Sequence, residues 1–200
     1  MDQHEMLVRM SESITLRRKQ LASSIARLYH TPQFEDLVVI CEAVEFPCNK
    51  AIVCAQSGTI RDLCGNAFVA GERCILRVRC QPLVFHMALE YLYTCDYHFF
   101  LDWDFPTKFP AYNQTVPADT EDRLDCCELS LHLQVYILAK CLRIPGLRYL
   151  SAYKVVSVLE RTSFSTVFLR FVREVYGHIS AEESLLKSLV IGYANRVIYR

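Results

Sequence analysis

Two short apolar runs flank a turn early in the chain. LVVIC (37–41) and VEFPC (44–48) are rich in β-forming residues, and two residues, Glu42 and Ala43, separate them. Such a gap predicts a tight β-hairpin. A third run, RCILRV (73–78), predicts one more strand. Three strands are too few for a Rossmann unit, and the sequence has no Gly-rich phosphate-binding fingerprint.

Helical periodicity accounts for most of the remaining sequence. Residues 5–29 carry one apolar stripe, which predicts an amphipathic helix. Asn49 is predicted to cap a short helix, Ser57 to begin the next, and Pro82 to occupy the first turn of a third. Four more helices are predicted over LSLHLQVYILAKCL, LRYLSAYKVVSVLE, 163–176 and 181–199. This order indicates a mixed α/β (α+β) fold.

The charge pattern argues against several classes of partner. Lys plus Arg and Asp plus Glu each total 22, so no net charge attracts nucleic acid or an anionic membrane. Residues 99–128, rich in proline and acidic side chains, predict a long surface insertion. The N-terminus has no uninterrupted apolar segment of the signal-peptide kind, and no 18-residue apolar stretch occurs. We expect an intracellular protein, in the nucleus or cytoplasm, that binds neither membrane nor nucleic acid directly.

The stretch FPCNKAIVCAQS raises the question of thiol catalysis, because Cys48, Lys50, Cys54 and Ser57 lie within ten residues. A thiol nucleophile needs a nearby base and a lowered pKa, and the six histidines form no recognisable signature with these cysteines. The ten cysteines also lack the Cys-x-x-Cys spacing of zinc and redox sites. We expect no enzyme activity, no metal and no cofactor, with these thiols packed as small apolar groups.

Three segments carry a further set of motifs: FEDLVVICEAVEFPCNKAIVCAQS, CILRVRCQPLVFHMALEYLYTCDY and LHLQVYILAKCLRIPGLRYLSAYKV. The motif positions are Phe34, Asp36, Leu37, Phe46, Lys50, Ala51, Tyr91, Leu92, Tyr93, Thr94, Tyr97, Val135, Tyr136, Leu138 and Ala139. Together these motifs resemble the BTB/POZ domain, and in particular the single-domain BTB proteins of filamentous fungi, over about residues 16–155. The chain departs from the family pattern at Asn49, where His is usual, and at Cys95, where Gly is usual.

The resemblance implies a BTB/POZ fold, a helical cluster flanked by a short β-sheet, with a C-terminal helical extension. It divides the chain into an N-terminal dimerisation helix (1–33), a core (34–155) interrupted by the insertion 99–128, and the extension (156–200).

The resemblance also implies a homodimeric scaffold that recruits other proteins. The expected dimer interface consists of Leu7, Ile14, Leu21, Ile25, Leu28 and Asn49. Asp36 and Lys50 are expected to line a partly buried charged pocket in the dimer groove. The alternative destination for the apolar stripe is the chain's own core or its C-terminal helices.

A second function within this resemblance is that of a substrate adaptor for a cullin-based ubiquitin ligase. Cullin-binding relatives commonly carry a hydrophobic-x-Glu triplet before the third strand and further helices after the core. Here Phe68 is followed by Ala70 where the acid is expected, and Glu72 lies two residues late. The triplet therefore weakens the adaptor hypothesis, and the C-terminal helices favour it.

Overall fold

The computed structural model describes residues 3–31, 33–66, 74–99, 121–161, 166–180 and 185–198. The elements are α1 (Gln3–His30), β1 (Leu37–Cys41), β2 (Val44–Cys48), α2 (Lys50–Gln56), α3 (Gly58–Asn66), β3 (Cys74–Val78), α4 (Pro82–Thr94), α5 (Glu121–Cys141), α6 (Pro145–Arg161), α7 (Thr166–His178) and α8 (Leu185–Ile198). This order confirms the α+β class.

The sheet has three strands in the order β2-β1-β3. The predicted hairpin is present: β1 and β2 pair antiparallel, and Glu42 takes a left-handed conformation (φ 54°) in the turn. The helices α2 and α3 form the crossover that makes β3 parallel to β1. The central strand β1 is buried at four of its five positions, whereas β2 and β3 alternate between buried and exposed side chains, as expected for strands at the two edges.

The buried apolar side chains form two clusters. The first joins the sheet to α2, α3 and α4, with Phe46 and Phe85 in edge contact at 5.1 Å between ring centroids. The second is formed by α5 to α8 around Leu133, Leu159 and Phe171. α5 and α6 contribute side chains to both clusters, so these two helices connect the sheet-containing core to the C-terminal helices.

Two helices extend across expected boundaries of the chain. The insertion expected over 99–128 ends earlier, because α5 already begins at Glu121. The first residues of α5 include three acidic side chains, Glu121, Asp122 and Asp125. Their sequence shows no clear helical spacing of apolar residues, so the start of the helix was not predicted. The boundary expected between 155 and 156 falls inside α6, a continuous helix from Pro145 to Arg161.

Candidate interaction surface

The C-terminal end of α1 is attached to α4. Ile25, Leu28 and Tyr29 are half-buried and pack against the sheet-containing core. The hydroxyl of Tyr29 lies 3.0 Å from Nε2 of His86, and its ring lies 5.8 Å from that of Tyr93. Two of the five expected interface positions on α1, Ile25 and Leu28, therefore pack in part against the chain itself.

The rest of the apolar stripe is exposed. Every residue from 11 to 24 is exposed, and Ile14 and Leu21 expose 50% and 64% of their surface. A spacing of seven residues returns to within about 20° of the same helical face, so Ile14 and Leu21 continue the face that Leu28 packs against the core. The side chain of Leu7, the next position along this face, lies outside the described residues.

Asn49 connects three parts of the domain. Its side-chain amide donates to the main-chain oxygens of Gln33 and Phe34, at 2.8 and 2.9 Å. Its main-chain N–H donates to the hydroxyl of Tyr93 at 2.8 Å, and that hydroxyl donates to Oδ1 of Asn49 at 3.1 Å. Burial raises the pKa of Tyr93 to about 12, so the hydroxyl keeps the proton that it donates. Asn49 thus fixes the segment after α1 against α2 and α4.

The predicted helix cap at Asn49 is right in position and wrong in chemistry. Asn49 is the N-cap residue of α2, but it makes no side-chain cap hydrogen bond among the described residues. The carboxylate of Asp36 takes this role instead, because its Oδ1 accepts a hydrogen bond from the main-chain N–H of Lys50 at 2.6 Å. The carboxylate of Asp36 therefore lies beside the main chain of Lys50; in the single chain Asp36 is exposed and Lys50 half-buried.

Phe34 adds a large apolar group beside these residues. It is 87% exposed, and its backbone is left-handed (φ 60°), a conformation that costs a non-glycine residue energy. The main-chain oxygen of Phe34 is held by Asn49. In the sequence, Phe34 was noticed as part of the motif that opens the first strand. That motif indicates the fold, but it does not show whether the ring of Phe34 is buried or exposed.

The remaining expected site residues divide into two groups. The candidate cullin contacts Phe68, Ala70 and Glu72 lie outside the described residues. Cys48 is buried and Cys54 half-buried in the sheet-containing core. Burial raises the pKa of Cys48, so this thiol stays protonated.

Neither a metal cluster nor a membrane span occurs in the part of the chain that the structure describes. No three His, Cys, Asp or Glu side chains there are grouped so that they could hold a metal ion. None of the described helices is long and apolar enough to cross a bilayer.

The comparisons with known proteins identify the domain. Residues 26–102, from the end of α1 to beyond α4, match the family model of the BTB/POZ domain. This part of the chain is a BTB/POZ domain, which is a protein–protein interaction module.

Two solved structures similar to this chain carry the same description. One is the BTB domain of zebrafish PATZ1, with a TM-score of 0.47 and 15% identity, covering 74% of this chain and 95% of that chain. The other is the BTB (Tramtrack and Bric a brac) domain of human Gigaxonin, with a TM-score of 0.46 and 15% identity, covering 68% of this chain and 90% of that chain. The comparison with curated proteins gives no match.

Proposed function

We propose that the protein is a homodimeric scaffold, in which the exposed part of α1 packs against a second copy of the chain and the dimer recruits other proteins. The observation that carries this proposal is the continuity of one helical face. Ile25 and Leu28 pack this face against the chain's own core, and Ile14 and Leu21 extend it into solvent.

The energetics of an exposed helix support a partner at this place. Most helical stability in proteins comes from the packing of an apolar face, and residues 11–24 are exposed over the part of the chain that the structure describes. Burial of each aliphatic side chain of the stripe contributes about 1.5–3 kcal/mol. A seven-residue apolar spacing is also the repeat that two packed helices share. A second copy presents the same stripe, so a two-fold symmetric contact would bury the apolar side chains of both copies at once.

Asp36 and Lys50 are part of the same proposal. Asn49 holds the segment that contains Phe34, and Asp36 contacts the start of α2. We infer that a second copy would cover Phe34 and close over Asp36 and Lys50, which would turn an open charged surface into the partly buried pocket expected from the resemblance. The role of the pair would be to set the orientation of the two copies, since exposed charge pairs contribute little to stability.

Paired substitutions on α1 test the dimer. Leu21→Asp places a charge on the stripe, and Leu16→Asp places the same charge about 140° away on the same helix. Leu16 is 57% exposed, close to the value of Leu21, so it is a matched control. Light scattering on a sizing column is expected to give a dimer for the unaltered chain and for Leu16→Asp, and a monomer for Leu21→Asp. A Leu21→Asp variant that remains dimeric would move the interface elsewhere.

A cullin adaptor is the second candidate. The observation that favours it is the packing of α7 and α8 on α5 and α6, which places a helical extension directly against the BTB core. The chain lacks an acid at Ala70, so we expect weak capture by a purified cullin and stronger capture of the Ala70→Glu variant. Tight binding of the unaltered chain would make the adaptor the leading function. Leu21→Asp distinguishes the two functions. It is expected to prevent dimer formation, and it does not alter the candidate cullin contact at Ala70.

A further inference from the structure

The sulfur atoms of Cys41 and Cys80 are in contact. They lie 3.6 Å apart and share a hydrogen bond. Cys41 is the last residue of β1 and is fully buried, and its strand partner on β3 is Val78. Cys80 follows two residues after Val78, in the link that leads into α4. The sheet register therefore holds the two thiols side by side, although 38 residues separate them along the chain (42 to 79).

Cys80 is accessible, whereas its neighbour is not. Cys80 is half-buried and lines a groove of about 510 Å³, and Arg77 and Arg79 line the same groove. The hydrogen bond with Cys41 lowers the pKa of Cys80, although burial and Glu42 act in the opposite direction. The same hydrogen bond, together with burial, raises the pKa of Cys41.

A second pair of thiols in the fold lacks these properties. The sulfur atoms of Cys64 and Cys74 lie 3.8 Å apart, but both residues are buried. Burial, followed by hydrogen bonds with neighbouring thiols, raises the pKa of Cys64 to about 12. The two pairs have almost the same sulfur separation and differ in access, so the second pair is an internal control.

We propose that Cys41 and Cys80 are an oxidation site, at which hydrogen peroxide converts the two thiols into an intramolecular disulfide. The Cys80 thiolate attacks one oxygen of the peroxide and breaks the O–O bond. Cys80 becomes a sulfenic acid, and the leaving hydroxide takes up a proton to form water. The thiol of Cys41 then attacks the sulfenic sulfur, an S–S bond forms, and a second water leaves. Two thiols are oxidised by two electrons, and one peroxide is reduced to two waters.

The disulfide requires a small movement and has structural consequences. The sulfur atoms must approach from 3.6 Å to about 2.05 Å to form the bond. The bond would tie the end of β1 to the start of α4 and close the loop that contains β2, α2, α3 and β3. Closing a loop of this length raises the melting temperature by several degrees. It also removes the Cys80 thiol from the groove.

Peptide mapping of the unaltered chain tests the proposal without any variant. The reduced protein is treated with a small excess of hydrogen peroxide, the remaining thiols are alkylated, and the digest is analysed by mass spectrometry. We expect the Cys41 and Cys80 peptides to appear joined, with the loss of two hydrogen atoms, before Cys64 and Cys74 lose their alkylation. The linked species is also expected to have the higher melting temperature, and reduction should reverse both changes.

Single substitutions complete the test. Cys41→Ser and Cys80→Ser should abolish the joined peptide, whereas Cys64→Ser should retain it; circular dichroism checks that each variant is folded. The proposal is overturned if Cys41 and Cys80 remain fully alkylated after peroxide has consumed the exposed Cys95 and Cys141. It is equally overturned if Cys80 stops at sulfenic or sulfinic acid without joining Cys41, or if the Cys64 and Cys74 peptides join at the same rate.

Discussion

The carboxylate of Asp36 accepts a hydrogen bond from the main-chain N–H of Lys50, with 2.6 Å between Oδ1 and the nitrogen. This contact joins the start of β1 to the start of α2 and satisfies one of the unpaired N–H groups of that helix. Asp36→Ala removes the acceptor and is expected to lower the free energy of unfolding by about 1 kcal/mol, the usual value of a helix cap. Urea unfolding measures the change.

Asp36→Asn is the control for this contact. Asparagine keeps an acceptor oxygen of similar reach and loses the charge, so it should recover most of the stability that alanine loses. Equal losses for Ala and Asn would show that the negative charge, rather than the hydrogen bond, stabilises the start of α2.

The position of this cap could not be read from local sequence. Asn49 has the residue type and the place of an N-cap, and the helix does begin after it. Its side chain is occupied by the main-chain oxygens of Gln33 and Phe34 and by Tyr93. These partners are distant in sequence, so the acceptor that satisfies α2 is decided by tertiary contacts and not by spacing.

The hydroxyl of Tyr93 gives a second prediction. It accepts the main-chain N–H of Asn49 and donates to Oδ1 of the same residue, at 2.8 and 3.1 Å. Tyr93→Phe removes both contacts and leaves Asn49 without this partner, at an expected cost of about 1–3 kcal/mol in the free energy of unfolding. Tyr149→Phe is the matched control, because Tyr149 is exposed, and it should change stability little. Thermal and urea unfolding measure the stability of both variants. A loss for Tyr93→Phe no larger than that for Tyr149→Phe would contradict the prediction.

Cys95 occupies a position that suits glycine better. It follows α4 with a left-handed backbone (φ 63°), and its N–H donates to the main-chain oxygen of Tyr91 at 2.8 Å. A side chain in this conformation costs about 1–2 kcal/mol, of which the greater unfolded-state freedom of glycine cancels part. Cys95→Gly is therefore expected to raise the free energy of unfolding by about 0.5–1 kcal/mol.

Cys95→Ala separates backbone strain from the loss of the thiol. Alanine keeps a Cβ in the left-handed conformation, so its stability should remain close to that of the unaltered chain. If Ala and Gly stabilise the protein equally, the strain at this corner is not the cause.

A buried histidine connects the two clusters. Nδ1 of His132 lies 2.9 Å from the hydroxyl of Tyr97, and its Nε2 lies 3.4 Å from a carboxylate oxygen of Glu128. Burial lowers the pKa of His132, and the charges of Lys154 and Arg161 act in the same direction against the opposing effect of Glu128. The folded protein therefore binds a proton at His132 less readily than the unfolded chain does.

This lowered pKa sets the direction of a pH effect. The stability from neutral His132 is fully present above the unfolded pKa of about 6.5 and is lost as the pH falls below it towards the folded value. The free energy of unfolding is expected to decrease from pH 7.5 to 5.5, and His132→Gln should flatten this decrease. His178→Gln, at an exposed position, is the control for the loss of a histidine. Urea unfolding at several pH values measures the slopes, and an unchanged slope in His132→Gln would refute the assignment.

The apolar stripe of α1 was predictable from the sequence. Which of its residues pack against the core and which are exposed was not. A seven-residue repeat assigns Ile14, Leu21 and Leu28 to one helical face. Which part of that face the chain covers depends on where α4 lies along α1, and this is a tertiary contact without a local signal. Ile25 and Leu28 pack in part against the sheet-containing core, whereas Ile14 and Leu21 are exposed.

Hydrogen exchange along α1 as a function of protein concentration tests the proposed dimer most directly, because it reports both association and its place. A lone exposed helix is weakly protected, whereas a helix packed against a second copy exchanges slowly. We expect amides of residues 11–24 to become strongly protected as the chain is concentrated into the dimer range, while amides of β1 stay equally protected throughout. Fast exchange over residues 11–24 at every concentration, or concentration-dependent protection confined to α7 and α8, would contradict it.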